Sequence, residues 1–175
     1  MLATKTGKQV AFSPESMTKA QEIIARYPEG KQKSALLPIL HLAQNEFGGW
    51  LSAESMDYVA RLLHIQPIEV YEVATFYSMY NLKPVGRFLL EVCHTGPCMI
   101  RGAEKMLEQL QQKLGIKVGE TTPDRLFTLK TVECLAACGY APMMQVGERY
   151  HEFLDTDEKV DRLLEEFRKK AESDN

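Results

Sequence analysis

Four cysteines are the residues of this 175-residue sequence whose chemistry is hardest to explain as packing. They fall in two pairs, Cys93 and Cys98 in CHTGPC and Cys134 and Cys138 in ECLAACGYAP. Each pair follows an apolar run, so each is expected on the loop after a strand. Three chemistries compete for such a set. Structural zinc takes four ligands around one tetrahedral ion, usually from C-x2-C knuckles. The spacings here, C-x4-C and C-x3-C, are both wider. A redox dithiol is normally C-x-x-C at a helix start, and structural disulfides belong to oxidising compartments. Neither description fits these pairs. A [2Fe–2S] cluster asks for four thiolates around a larger, flat object with two irons, which two loops of two sulfurs suit. Thr95, Gly96, Ala136, Ala137 and Gly139 are small enough to let backbone N–H groups approach those sulfurs. The spacing favours the cluster; zinc, and disulfides or free thiols, stay open.

The elements that must position these loops read as two regions. Up to about residue 85 the chain reads as helices. Ser13-Pro14-Glu15 has the cap, the first-turn proline and the acidic side chain of a helix start. LLPILHLAQNEFGG repeats Leu36, Leu37, Leu40 and Ala43 at helical spacing, with Pro38 in the first turn. Ser52 opens a third helix with Met56, Val59, Ala60 and Leu63 on one face, and Pro67 opens a fourth through VYEVATFYSMY. After Lys83-Pro84-Val85-Gly86 the pattern changes. Residues 87–92 read as a buried strand, 99–114 as an amphipathic helix closed by Gly115, and 126–132 as a second strand. A hairpin over 143–153 turns at Gly147-Glu148, and Asp155-Thr156-Asp157-Glu158 has the form of a capping box for a last helix. The tail KKAESDN reads as disordered. The fold class is α+β: an N-terminal helical bundle over 1–85, then a small α/β domain with a mixed sheet over 86–175.

Composition restricts the function. A net charge of −3 gives no electrostatic case for nucleic acid or an anionic membrane surface. No apolar run approaches the ~20 residues of a bilayer-spanning helix, so direct membrane insertion is not expected. MLATKTGKQVAF has neither a secretory core nor the arginines of a transit peptide, which places the chain in a reducing cytoplasm.

GGWLSAESMDYVA, VYEVATFYSMY, CHTGPCMIRGA and VECLAACGYAPMMQVG together resemble the thioredoxin-like [2Fe–2S] subunit of NADH:quinone oxidoreductase, respiratory complex I, from about residue 13 to about 168. Related NAD-linked hydrogenases and formate dehydrogenases carry the same module. The resemblance implies a thioredoxin-like second domain and Cys93, Cys98, Cys134 and Cys138 as the four ligands of one [2Fe–2S] cluster. It further implies a partner subunit holding FMN and NADH, other iron–sulfur subunits of a peripheral arm, and peripheral attachment to the inner membrane through the complex. One departure is Ala136, where the family often has glycine. The chain has no G-x-G-x-x-G and no evident quinone site, so it is expected to carry electrons and not to oxidise NADH alone. With four thiolates, Glu91 and Glu133 nearby and no histidine ligand, a low reduction potential is expected. The rival readings are an equivalent subunit of a soluble hydrogenase or formate dehydrogenase, a zinc-stapled interaction module, and a thiol oxidoreductase.

The other candidates have plainer readings. His94 is expected to point away from the sulfurs, His41 to be packed, and His64 and His151 to be ordinary surface or helix-end residues. The aromatic stripe in VYEVATFYSMY suits partner docking and core packing equally, and Trp50 suits either role. Met143 and Met144 read as core filler, Pro142 as equally cis or trans, and Arg101 and Lys105 as a solvated helix face.

Overall fold

The computed structural model describes residues 4–173. Two compact units meet in sequence between Pro84 and Val85.

The first unit is helical. α1 (Pro14–Ile24) starts where Ser13 accepts a hydrogen bond from the Ser16 N–H at 3.2 Å. A 3-10 turn, Gln32–Ala35, runs into α2 (Leu36–Glu46). α3 (Ala53–Leu63) is capped by Ser52, and α4 (Pro67–Phe76) by a Gln66 N–H that donates to Glu69 at 2.8 Å. Their shared core holds Ile39, Leu40, Met56, Val59, Leu63 and Val70, all without solvent exposure. Each such side chain is worth roughly 1.5–3 kcal/mol on burial. The stretch before α1 lies along α3: Thr6 and Gly7 N–H both donate to Glu54 at 2.8 Å, and the Phe12 ring stacks on Phe47.

α4 is shorter than its sequence pattern. It stops at Phe76, and Tyr77 is extended. The reason lies further along, where Tyr80 is buried and its hydroxyl donates to the Leu37 carbonyl at 2.9 Å. The aromatic stripe therefore divides. Val70, Ala74 and Tyr80 face the core, whereas Phe76 (79% exposed), Tyr77 and Met79 do not. His41 rests against the Tyr80 ring but stays exposed, so it is not the enclosed histidine its helix face suggests.

The second unit is a mixed four-stranded sheet with helices. β1 (Phe88–Cys93) is followed by a short α5 (Gly96–Ile100), α6 (Ala103–Leu114), β2 (Phe127–Val132), a 3-10 turn (Cys138–Tyr140), β3 (Met144–Val146), β4 (Arg149–His151) and α7 (Asp157–Ser173). The strand order is β2-β1-β3-β4, with β1 parallel to β2 and antiparallel to β3. Phe88, Leu90 and Val92 alternate into the core with Leu129 and Met144, where Met106 and Leu110 of α6 and Val160, Leu164 and Phe167 of α7 meet them. The mixed α+β fold expected from the sequence is the one observed.

Two sequence readings change here. The helix expected over 99–114 is two helices, because Gly102 at φ +99° turns the chain between α5 and α6. The tail expected to be disordered is helical through Ser173, because Phe167 and Ala171 remain in the core; residues 174–175 lie outside the described part. Among the described residues no helix is long and apolar enough to cross a membrane.

Candidate metal centre

Parallel pairing explains why both cysteine loops emerge together. In a parallel pair both strands end on the same side of the sheet. Cys93, the last residue of β1, pairs in register with Val132, the last of β2, two residues before Cys134. β3 runs the other way, so its start, Met144 opposite Val92, comes to the same end. There the Cys93 N–H donates to the Met143 carbonyl at 3.3 Å and the His94 N–H to the Val132 carbonyl at 3.0 Å. Three chain segments thus converge on one rim.

From Cys93 the chain passes through Thr95 into α5. Pro97 lies in its first turn, where a missing N–H costs nothing, and Cys98 follows one residue later. Cys93 and Cys98 are buried with Ala103, Ala141 and Met143, whereas Cys134 and Cys138 are exposed. The second loop is held by the Tyr150 hydroxyl, which donates to the Leu135 carbonyl at 2.9 Å, and by the Phe153 N–H, which donates to the Tyr140 carbonyl at 2.9 Å. The Ala141-Pro142 peptide beside it is cis.

All four cysteines carry free thiols. They interact two by two, Cys93 with Cys98 and Cys134 with Cys138. The two pairs also sense each other's charge, Cys138 acting on Cys98 and Cys93 on Cys138. Among the described residues no three His, Cys, Asp or Glu side chains gather as they would around one metal ion. Backbone donors converge on the sulfurs: the Leu135 and Thr95 N–H groups on Cys93, Met143 N–H on Cys98, and Ala136 N–H on Cys134 at 3.3 Å. Burial pushes the Cys93 thiol up, but the Leu135 N–H, the Thr95 hydroxyl and Cys98 outweigh it, so it lies below its ordinary value. Cys98 is pushed up to about 11, first by burial and then by Cys93 beside it. Cys138 is raised by its hydrogen bond with Cys134 and by the charge of that neighbour.

This donor set fits a thiolate-ligated iron–sulfur group. It supplies two pairs of sulfurs at one end of the sheet with N–H dipoles beside them, and such donors favour the negative charge that the sulfurs must carry. Ala136 sits at φ +58°, the left-handed region where glycine is unstrained.

The remaining sequence candidates are placed elsewhere. His94 turns toward α6, with Nε2 3.9 Å from Glu104 Oε1. Lys105 faces Asp157 at 3.6 Å, and the Arg101 charge acts on Asp155. Glu91 is half-buried beside Lys130 at 3.6 Å, and burial raises its carboxyl. Met143 and Met144 are both fully buried as expected, Met144 under the sheet and Met143 beside the cysteines. The donors at Leu135 and Met143 had no signal in the sequence, since every residue type but proline carries the same backbone N–H.

The sheet presents two thiol pairs where its parallel strands end, an arrangement of the class that holds a thiolate-bound iron–sulfur group. The sequence model of the thioredoxin-like [2Fe–2S] ferredoxin family matches residues 20–168. A subunit of the NADH-quinone oxidoreductase of Rickettsia felis is 45% identical over 156 residues, 89% of this chain and 93% of that protein. The mitochondrial NADH dehydrogenase [ubiquinone] flavoprotein 2 of Dictyostelium discoideum is 45% identical over 152 residues, 87% of this chain and 62% of that protein. The chain belongs to the thioredoxin-like [2Fe–2S] ferredoxin family. A crystal structure of an NAD+-reducing [NiFe]-hydrogenase in the air-oxidized state shares the fold with a TM-score of 0.66 at 21% identity. The likeness covers 77% of this chain but only 23% of the hydrogenase chain.

Proposed function

We propose that this chain is the [2Fe–2S] electron-carrier subunit of an NADH-quinone oxidoreductase, with Cys93, Cys98, Cys134 and Cys138 as the cluster's ligands. One observation carries the reading: two thiol pairs, one buried and one exposed, lie on the loops where two parallel strands end, with backbone donors on their sulfurs. The bound cluster takes up and releases one electron at a time. The chain's own part is to hold it. Ala103, Ala141 and Met143 keep water from Cys93 and Cys98, and the exposed Cys134–Cys138 loop leaves one side open to a redox partner.

That partner, on this reading, is the subunit binding FMN and NADH, where hydride chemistry takes place; this chain is itself non-catalytic. Other iron–sulfur subunits of the same arm complete its surroundings. The first unit serves as a docking region, to which Phe76, Tyr77 and Met79 offer exposed apolar surface. The complex would lie on the cytoplasmic face of the inner membrane without this chain entering the bilayer.

The test is anaerobic purification, iron and zinc counted on the same sample, and EPR after dithionite reduction. About two irons per chain and a rhombic signal are expected, both lost in Cys98→Ser. A colourless chain holding one zinc after attempted cluster reconstitution would overturn the assignment.

A further inference from the structure

Thr95 occupies the N-cap of α5, with extended backbone ahead of Gly96. A threonine there ordinarily turns its side-chain oxygen onto N–H groups of the first turn. Ser13 and Ser52 behave so, each accepting at 3.2 Å. Thr95 makes no such bond. Its Oγ1 lies 3.6 Å from Cys93 Sγ instead. The hydroxyl is thus withdrawn from the helix and directed at a sulfur.

We infer that Thr95 is a tuning residue: its hydroxyl donates to Cys93 Sγ and raises the reduction potential of the cluster that Cys93 ligates. The inference rests on the proposed ligand set. Reduction adds one electron, with no bond made or broken and no proton taken up, and the added negative charge is shared by the thiolate sulfurs. A donor to a sulfur stabilises the more negative state more than the less negative one, so its removal favours the oxidised state. The effect is largest where water does not compete. Cys93 lies buried among Ala103, Ala141 and Met143, whereas Cys134 and Cys138 are open to solvent. Leu135 N–H also points at Cys93 and survives any side-chain change at Thr95, so the loss is partial.

The experiment is an EPR-monitored redox titration of the full chain carrying its cluster, with dithionite as electron donor. Thr95→Val keeps the side-chain shape and removes the hydroxyl; Thr95→Ser restores it. The expected result is a three- to tenfold shift of the reduction equilibrium toward the oxidised form in Thr95→Val. At ~59 mV per tenfold for one electron, that is about 28 to 59 mV more negative. Thr95→Ser should stay at the wild-type value, and iron content should be equal in all three. An unchanged potential in a fully loaded Thr95→Val overturns the inference and leaves the ligand set standing. Thr95→Ala carries the same expectation and decides the matter if the valine variant does not load. If neither loads, Thr95 serves assembly rather than tuning, and the inference is likewise overturned. A wild-type chain that binds no cluster removes the proposed function itself.

Discussion

Replacing Gly86 with alanine sets two known effects of opposite sign against each other. The added Cβ would lie 2.9 Å from the Phe127 carbonyl carbon, 3.0 Å from the Arg125 carbonyl oxygen and 3.0 Å from the Leu126 carbonyl carbon. All three are backbone atoms, so no side chain can swing aside. Gly86 is also held in place, since its N–H donates to Thr128 Oγ1 at 2.6 Å and the next N–H, of Arg87, donates to the Arg125 carbonyl at 2.9 Å. Comfortable carbon contacts begin near ~3.5 Å, so the entry of β1 must move by roughly half an ångström or more from β2. Alanine for glycine restricts the unfolded chain and by itself stabilises by ~0.4–1 kcal/mol. Overpacking costs ~1–3 kcal/mol, and rigid backbone neighbours put this site in the upper part of that range. The net is a loss of about 2 kcal/mol, or a Tm about 4–8 °C lower for a chain of this size. Thermal unfolding followed by far-UV circular dichroism measures it. Gly96→Ala is the control, because its Cβ meets nothing within 4 Å, and its Tm should hold or rise slightly. A Gly86→Ala Tm equal to or above wild type would refute the steric reasoning.

Leu90→Ala empties a fully buried position at the centre of the sheet and should cost ~2–5 kcal/mol in urea unfolding; a loss below ~1 kcal/mol would contradict the packing described. Glu54→Gln tests the N-terminal stretch. The Gly7 N–H, foremost among its donors, holds the Glu54 carboxyl down at about 2 against an ordinary 4.5. A carboxylate depressed on folding lends stability that is complete above about 4.5 and disappears as the pH falls from 4.5 toward 2. In Glu54→Gln the Thr6 and Gly7 amides should exchange with solvent faster near neutral pH, and that acid-range dependence should vanish; unchanged exchange would show that Glu54 does not hold the stretch. Tyr80→Phe removes the hydrogen bond to the Leu37 carbonyl and should cost ~1 kcal/mol in the same urea measurement, while Tyr80 itself resists ionisation to about 12 because of its burial.

Much of the site was legible because cysteine identity is chemistry that a sequence states outright. Cys93, Cys98, Cys134 and Cys138 could be named with no coordinates, and the apolar runs before them marked the strands that deliver them. The helix starts at Ser13 and Ser52 were equally legible, since a cap is a contact over three residues, and Pro67 marked the start of α4. Helix ends were legible only where a glycine marks them, as Gly115 does for α6. Nothing in VATFYSMY breaks a helix locally, and α4 stops because Tyr80 is buried and finds a hydrogen-bond partner on α2. The apolar spacing of 99–114 continues across Gly102, whose positive φ breaks the helix in two. The tail KKAESDN is polar enough to read as disordered, and only the core beneath Ala171 orders it through Ser173.

The sequence by itself determined the donor atoms, the order of strands and helices, and the apolar faces, because these depend on residue type and on periods of a few residues. Only the tertiary structure decided that β1 and β2 run parallel in the register Cys93–Val132, which brings cysteines 41 positions apart in sequence to one rim. It alone decided which pair is buried, and that the N–H groups of Leu135 and Met143 and the hydroxyl of Thr95 meet the sulfurs. Those are long-range or backbone interactions, to which residue type contributes no distinguishing mark.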